Sequence, residues 1–265
     1  MLGLLCLLVL CGAGRYDRGV SVFSPEGEIL QVVYAERAAA RGLSLVCLAT
    51  RRTVLVLTPS LPTDALLDRK TAHKLNRIDE DAFMGFSGLS GDGRALLRLA
   101  QRFSVDFRSK FGVAAPVASV AQFLGDLQHA ASLKGSDRPY GVHVVLFGFE
   151  ASEPSVLLVA ASGQVSRWRT VAVGGGADEM NMFLGELMTR LDKCYVDILR
   201  EALGKLSKLS GRSGEWLGVD LSWFSADKET GAVVEGNVYR LNGSDLLPED
   251  LVSILDAELE KKAES

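Results

Sequence analysis

Two apolar runs separated by a short polar turn restrict the fold of this chain more than any other feature. Residues 43–49 and 53–58 are largely apolar, and Thr50, Arg51 and Arg52 lie between them. Runs of this length around a polar turn predict a β-hairpin. Because neither run alternates regularly between polar and apolar residues, both strands are expected to be largely buried.

The remaining pattern predicts strands in clusters and helices in pairs. Helical spacing of apolar residues occurs at 28–41, 92–111, 117–133, 179–191, 196–209 and 248–262. Further strand patterns occur at 20–23, 74–78, 81–87, 141–149, 156–161, 164–173, 217–224 and 233–241. No internal repeat or linker interrupts this order. Clustered strands with helices between the clusters favour an α+β layered domain over a doubly wound sheet.

Composition narrows the classes of function. A chain of 265 residues suits one large domain, and a net charge of −4 provides no basic field for nucleic acid. The 4 cysteines and 3 histidines show no metal-ligand spacing, so we expect reduced thiols and no metal. The glycine run at 174–176 lacks the surroundings of a phosphate-binding motif, so no cofactor is predicted.

The first fourteen residues form an atypical apolar N-terminal tail. The stretch ends in small residues, as secretory signals do, but no positive charge precedes it. It is also too short to cross a bilayer, so no membrane association is predicted. A secreted binding protein, an atypical start and a tail buried in an assembly remain as alternatives, and the rest of the chain favours the last two.

Three motifs resemble the proteasome α-subunit family. Residues 15–27, followed by 30–35, are similar to the N-terminal signature of that family: a Tyr-Asp-Arg motif, a Phe-Ser-Pro-Glu-Gly turn and a Gln-Val-x-Tyr-Ala helix. Residues 137–142 resemble its Arg-Pro-Tyr-Gly-Val motif, and residues 88–94 more weakly resemble the motif that begins a long helix. The resemblance runs from Arg15 to the end and indicates a divergent, eukaryotic α-type member.

The resemblance implies a fold and an assembly. The fold would be a four-layer αββα sandwich of the N-terminal-nucleophile hydrolase type, with a signature arm and helix at 15–42 and the sandwich at 43–265. The chain would be a non-catalytic subunit of the 20S core in cytoplasm and nucleus, acting in ubiquitin-dependent degradation. Its partners would be neighbouring α subunits, β subunits and the C-terminal tails of activators.

The resemblance also implies a gate cluster. The family holds its open gate with a tyrosine and an aspartate of the first motif, the proline of the turn and the tyrosine of the helix. These positions are Tyr16, Asp17, Pro25 and Tyr34 here. A phenol and a carboxylate can hydrogen-bond while proline fixes the turn, so the residue types suit the role.

A pocket for activator tails is the second implied site. Lys74 corresponds to the lysine that contacts a terminal carboxylate in the family, and Gly42 would line the same pocket. A lysine ammonium suits a single carboxylate as a point charge. Val33 replaces the glutamate that the family usually has in the signature helix. At this pocket the chain therefore differs from the family pattern.

No catalytic residue is predicted. An N-terminal nucleophile needs Thr, Ser or Cys as the first residue of the mature chain, since the free amine acts as base. The corresponding position is Leu43, and cleavage before Ser44 would remove the whole α signature. Cys47 lies in an apolar run and is expected in the core. The alternative function is an active β-type threonine peptidase subunit.

Overall fold

A computed structural model gives the fold of the chain. It describes residues 16, 19–50, 52–59, 75–133, 138–150, 153–189, 195–210, 219–226, 233–235 and 239–241. The helices in this part are α1 (Leu30–Ala40), α2 (Ser90–Phe111), α3 (Val117–Leu133), α4 (Ala177–Thr189) and α5 (Tyr195–Ser210). The strands are β1 (Leu45–Ala49), β2 (Thr53–Pro59), β3 (Leu75–Asp79), β4 (Ala82–Gly88), β5 (Val142–Glu150), β6 (Glu153–Val159), β7 (Val165–Trp168), β8 (Thr170–Val173), β9 (Val219–Ala226), β10 (Val233–Glu235) and β11 (Tyr239–Leu241).

The strands form two sheets in which every described pair is antiparallel. The first sheet has the order β10-β9-β2-β1-β8, and β11 also pairs with β9. The second sheet has the order β3-β4-β5-β6-β7. The predicted hairpin is confirmed as β1 and β2, paired from Val46 with Leu57 to Ala49 with Val54.

The two sheets pack face to face through an apolar layer. Three aromatic rings lie at its centre: Phe83 of β4, Phe147 of β5 and Phe224 of β9. Their centroids are 4.4 Å apart between Phe83 and Phe224, and 5.0 Å apart between Phe147 and Phe224. Since β4 and β5 belong to the second sheet and β9 to the first, the aromatic cluster joins the two layers.

Helices cover both outer faces of the sheet pair. On the second sheet, α2 and α3 pack through a core that includes Leu96 and Leu124. On the first sheet, α4 and α5 bury Leu184 and Leu199 against β8, β2 and β9. The result is a four-layer αββα sandwich, as predicted. It also explains the continuous apolar runs, because β1 and β2 have buried side chains on both faces.

One predicted strand proves to be two. The pattern at 164–173 contains β7 and β8, which belong to different sheets. The chain crosses between the sheets at Arg169, whose carbonyl accepts a hydrogen bond from the Ala49 amide at 2.8 Å. Both halves satisfy a strand pattern, so the crossing is set by pairing partners that are distant in sequence.

The short strand predicted at 20–23 is wrong. Residues 19–29 form turns and irregular backbone that pairs with none of the described strands, and Phe23 is exposed. The turn that follows is closed by hydrogen bonds from the Ser24 amide to the Glu28 carbonyl and from the Gly27 amide to the Ser24 carbonyl. The helix predicted at 28–41 begins at Leu30, because Ile29 still has extended backbone.

Two predicted segments lie outside the described residues: the apolar tail at 1–14 and the helix predicted at 248–262. Among the helices that the structure describes, none combines the length and the apolar character needed to cross a membrane.

Candidate functional site: helix α1 and the start of strand β1

Helix α1 lies against the second sheet and ends beside the start of β1. Its inner face is made of small residues, Ala35 and Ala39, which are buried and pack with Ala161. The outer face carries Tyr34, which is 40% exposed, with the Arg37 guanidinium carbon 6.0 Å from its ring centroid. Small side chains on the inner face allow the helix to approach the sheet closely.

The Glu36 carboxylate links α1 by hydrogen bonds to β5 and to the turn at Ser162. Its Oε2 lies 2.5 Å from Nε2 of His143 on β5, and its Oε1 accepts a hydrogen bond from the Ser162 amide at 2.9 Å. Burial raises the pKa of Glu36, but the His143 ring and the Ser162 amide lower it by more. The net pKa of this carboxyl therefore lies below its ordinary value.

Gly42 connects α1 to both sheets. Its amide bonds to the Ala39 carbonyl at 3.1 Å, and its own carbonyl accepts from the Gly175 amide at 2.8 Å. A Cβ at this position would come within 2.0 Å of the Gly88 nitrogen and 2.3 Å of Ser87 Oγ. Only glycine fits here, because backbone from β4 occupies the space of a side chain.

Leu43 lies at the position that the family resemblance assigns to an N-terminal nucleophile. This residue follows Gly42 and precedes β1, and its side chain is 38% exposed. The adjacent Ser44 hydroxyl donates to the Gly175 carbonyl. The side chain of Leu43 therefore offers no nucleophilic atom.

Cys47 also lacks the properties of a nucleophile. Its side chain is fully buried between the sheets, as predicted, and burial raises the pKa of its thiol. In the described part of the chain, no group of three His, Cys, Asp or Glu side chains could hold a metal ion.

The predicted gate and pocket residues are only partly placed. Tyr16 is half-buried, Pro25 is exposed in the turn before α1, and Tyr34 is exposed on α1. Asp17 and Lys74 lie outside the described residues. The gate cluster and the activator pocket therefore stay predictions, and Gly42 has the packing role described above.

Two of the sequence motifs meet in space, which the sequence analysis did not anticipate. Arg138, from the motif at 137–142, contacts Asp92, from the motif at 88–94, and the Gly141 amide donates to Asp92 Oδ2 at 3.0 Å. The contact between Glu36 and His143 was missed as well. The sequence shows the acids Asp92 and Glu36 and the bases Arg138 and His143, but spacing along the sequence does not indicate which acid contacts which base.

Sequence profiles identify the family. The profile for the N-terminal signature of A-type proteasome subunits matches residues 16–38, and the general proteasome-subunit profile matches residues 39–216. The chain belongs to the proteasome subunit family. Its α-type signature covers the arm and most of α1, and the second profile covers most of the sandwich, so the two matches divide the chain where α1 ends.

Individual proteasome subunits show the same relationship. The chain is 32% identical over 171 residues to the proteasome alpha 2 subunit of Haloarcula marismortui, which covers 64% of this chain and 70% of the relative. It is 31% identical over 160 residues to the proteasome alpha type-7 subunit of Trypanosoma brucei brucei, at 60% and 65% coverage. For the proteasome alpha type-7 subunit of Dictyostelium discoideum the identity is 27% over 196 residues, at 74% and 76%.

Proposed function

We propose that this chain is a non-catalytic α-ring subunit of the 20S proteasome core. There it would form part of the ring scaffold, the substrate-entry gate and the activator-docking surface used in ubiquitin-dependent protein degradation. The observation that carries the proposal is Leu43, an aliphatic residue at the position that the family resemblance assigns to the nucleophile. The α-type signature that precedes it supports the same conclusion.

Processing to an active β-type subunit would remove structural contacts. Release of Ser44 as an N-terminal residue would detach α1, together with the Glu36 contacts to His143 and Ser162. It would also remove Gly42, whose carbonyl accepts from the Gly175 amide. The alternative of an active threonine peptidase therefore requires the loss of a helix that is packed into the sandwich.

Exposed apolar side chains support the ring role. Val22 and Phe23, in the arm before α1, are 43% and 64% exposed, and Tyr34 on α1 is 40% exposed. Apolar side chains grouped near one helix are typical of a surface that another chain covers. We assign this surface to a neighbouring α subunit, and other faces of the sandwich to β subunits.

The gate and the pocket are assigned from the family pattern. Tyr16, Asp17, Pro25 and Tyr34 would form the gate cluster, and Lys74 with Gly42 would receive the terminal carboxylate of an activator tail. The exposure of Pro25 and Tyr34 is compatible with a cluster that includes a neighbouring chain. We also propose that the particle occupies cytoplasm and nucleus, which microscopy of a fluorescent fusion tests.

Native mass spectrometry of the complex purified through a tag on this chain tests the assembly. We expect other proteasome subunits in the same particle. Phe23→Asp should reduce incorporation, whereas Val113→Asp, at another exposed apolar residue after α2, should be neutral if that surface is not an interface. A wild-type chain that is recovered without any proteasome subunit would refute the proposal.

Two binding and activity measurements test the finer assignments. The purified chain should not hydrolyse fluorogenic peptides, and hydrolysis blocked by a threonine-protease inhibitor would contradict the non-catalytic role. Lys74→Ala should weaken binding of a single activator-tail peptide by about ten- to a hundred-fold, the range for losing one charged hydrogen bond. Unchanged affinity at a pocket that contains this chain would remove Lys74 from it.

A further inference from the structure

A cleft lies between the last turns of α2 and the end of strand β3. Its volume is about 420 Å³. Its lining residues are Ile78, Asp79, Ser104, Val105, Arg108 and Ser109. Sites for small molecules commonly have volumes of about 300–1,000 Å³, so the cleft is large enough to hold one.

Ser104 brings a buried hydroxyl without a partner to this cleft. The residue is 1% exposed, and its Oγ has no hydrogen-bond partner in the described part of the chain. Such a hydroxyl costs free energy, because the hydrogen bonds that it makes to water in the unfolded chain are not replaced. A ligand that donates a hydrogen bond here would satisfy the Ser104 oxygen.

Asp79 provides a second free acceptor. Its Oδ1 accepts hydrogen bonds from Arg108 Nη2 at 2.7 Å and from the Glu80 amide at 2.8 Å. Its Oδ2 makes no hydrogen bond within the residues that the structure describes. The Arg108 guanidinium, in contrast, is already bound by the carboxylates of Asp79 and Glu80. The cleft therefore has acceptors to offer, and its cation is occupied.

The charge around the cleft is negative. The end of β3 and the turn after it carry Asp79, Glu80 and Asp81. Burial raises the pKa of the Asp81 carboxyl, and the charges of Glu80 and Asp79 raise it further, against the opposing effect of Arg77 and Arg108. Three carboxylates against two guanidinium groups leave an excess of one negative charge. The C-terminal end of α2 adds partial negative charge, which also favours a cation.

We infer that this cleft binds a small aliphatic amine in its ammonium form. An ammonium group has three donors and no acceptor, which matches the free acceptors Ser104 Oγ and Asp79 Oδ2. Ile78 and the 68% exposed Val105 provide apolar contact for the alkyl chain. An anion would meet the excess negative charge and an arginine, Arg108, that is already paired.

The test uses the full chain and n-butylammonium as the ligand. Saturation-transfer NMR should show binding that weakens as salt is raised. Ser104→Ala should weaken it about two- to ten-fold, the range for one neutral hydrogen bond. Asp79→Asn should weaken it about ten-fold or more, because a charged acceptor is lost. Butyrate and 1-butanol have the same chain length without the positive charge, and both should bind more weakly than n-butylammonium.

Matched substitutions separate the cleft from general effects on the fold and on net charge. Ser155→Ala removes another buried hydroxyl without a partner, on β6 and outside the cleft, and should leave affinity unchanged. Asp126→Asn removes an exposed carboxylate from α3 and should also leave it unchanged. No binding by the wild-type chain, or equal affinities of Ser104→Ala and Ser155→Ala, would overturn the inference.

Tighter binding of butyrate would overturn the inference in favour of an anion site. The measurement needs no other proteasome subunit, so its failure does not bear on ring assembly.

Discussion

The guanidinium group of Arg138 holds both carboxylate oxygens of Asp92, with Nη1 2.6 Å from Oδ2 and Nη2 2.7 Å from Oδ1. Hydrogen bonding from Arg138 lowers the pKa of Asp92 below its ordinary value, although burial opposes the shift. The pair joins the first turn of α2 to the segment that begins β5. Two residues 46 positions apart in the sequence, each from a different motif, are thereby part of one structural junction.

Arg138→Ala should lower the free energy of unfolding by about 1–2 kcal/mol, because the pair is bidentate but partly exposed. Asp92→Ala should cost more, since the Gly141 amide also loses its acceptor. Urea unfolding of both single variants and the double variant measures the coupling. Arg200→Ala, in an exposed pair with Asp197, is the control and should change stability by less than about 0.5 kcal/mol. Additive effects of the two substitutions would contradict the junction.

The contribution of Glu36 to stability should depend on pH. Its pKa is lower in the folded state than the ordinary 4.5, so the unfolded chain binds more protons near and below that pH. The contribution is therefore complete above about pH 4.5 and is lost as pH falls through the folded-state pKa. Urea unfolding should show that the difference between wild type and Glu36→Gln narrows as pH falls below 4.5.

The control for this prediction is Glu153→Gln, at an exposed position on β6. Its stability difference from wild type should stay small across the same pH range, because Glu153 has no side-chain hydrogen bond or ion pair in the described residues. A Glu36→Gln difference that grows on acidification would show that the sign of the shift is wrong.

Gly42→Ala should destabilise the fold by about 1–3 kcal/mol or more, because the new Cβ would overlap the backbone of β4. Gly185→Ala is a matched control inside α4, where a Cβ meets nothing within 4 Å. That change should raise stability by up to about 1 kcal/mol, since alanine favours a helix over glycine. Thermal unfolding should therefore shift in opposite directions for the two variants, and equal shifts would contradict the packing at Gly42.

Asn181 on α4 satisfies the backbone of the edge strand β8. Its amide oxygen accepts from the Ala172 amide at 2.8 Å, and its amide nitrogen donates to the Ala172 carbonyl at 2.9 Å. Asn181→Ala should cost about 1–3 kcal/mol, because two polar groups of a buried residue lose their partners. An edge strand left open in this way also favours association between chains.

Urea unfolding and light scattering measure the two effects of Asn181→Ala. Gln122→Ala provides a comparison, since that exposed amide bonds only to Asp126 one turn away in the described structure. Gln122→Ala should change the free energy of unfolding by less than about 0.5 kcal/mol. Its light scattering should equal that of the wild-type chain. An Asn181→Ala variant that behaves like Gln122→Ala would argue against the edge role.

Local patterns were sufficient for most elements of the fold. The periodicity of 117–133 predicted α3 with its observed ends, because helical hydrogen bonds and the apolar face both involve residues three or four apart. The hairpin of β1 and β2 followed in the same way from two runs beside one turn. The prediction that the chain carries no nucleophile was also local, since it depends on the residue type at Leu43 and on the segment before it.

Contacts between distant segments decided the rest. Glu36 and His143 are 107 residues apart, and neither residue carries a local signal for the other. The predicted strand at 164–173 is divided at Arg169 because β7 pairs with β6, whereas β8 pairs with β1. Val20, Val22 and Phe23 have strand-forming side chains but pair with no strand in the described part of the chain. A strand is stabilised by hydrogen bonds to another segment, so the amino-acid sequence specifies where one can form, and the tertiary structure decides whether it forms and in which sheet.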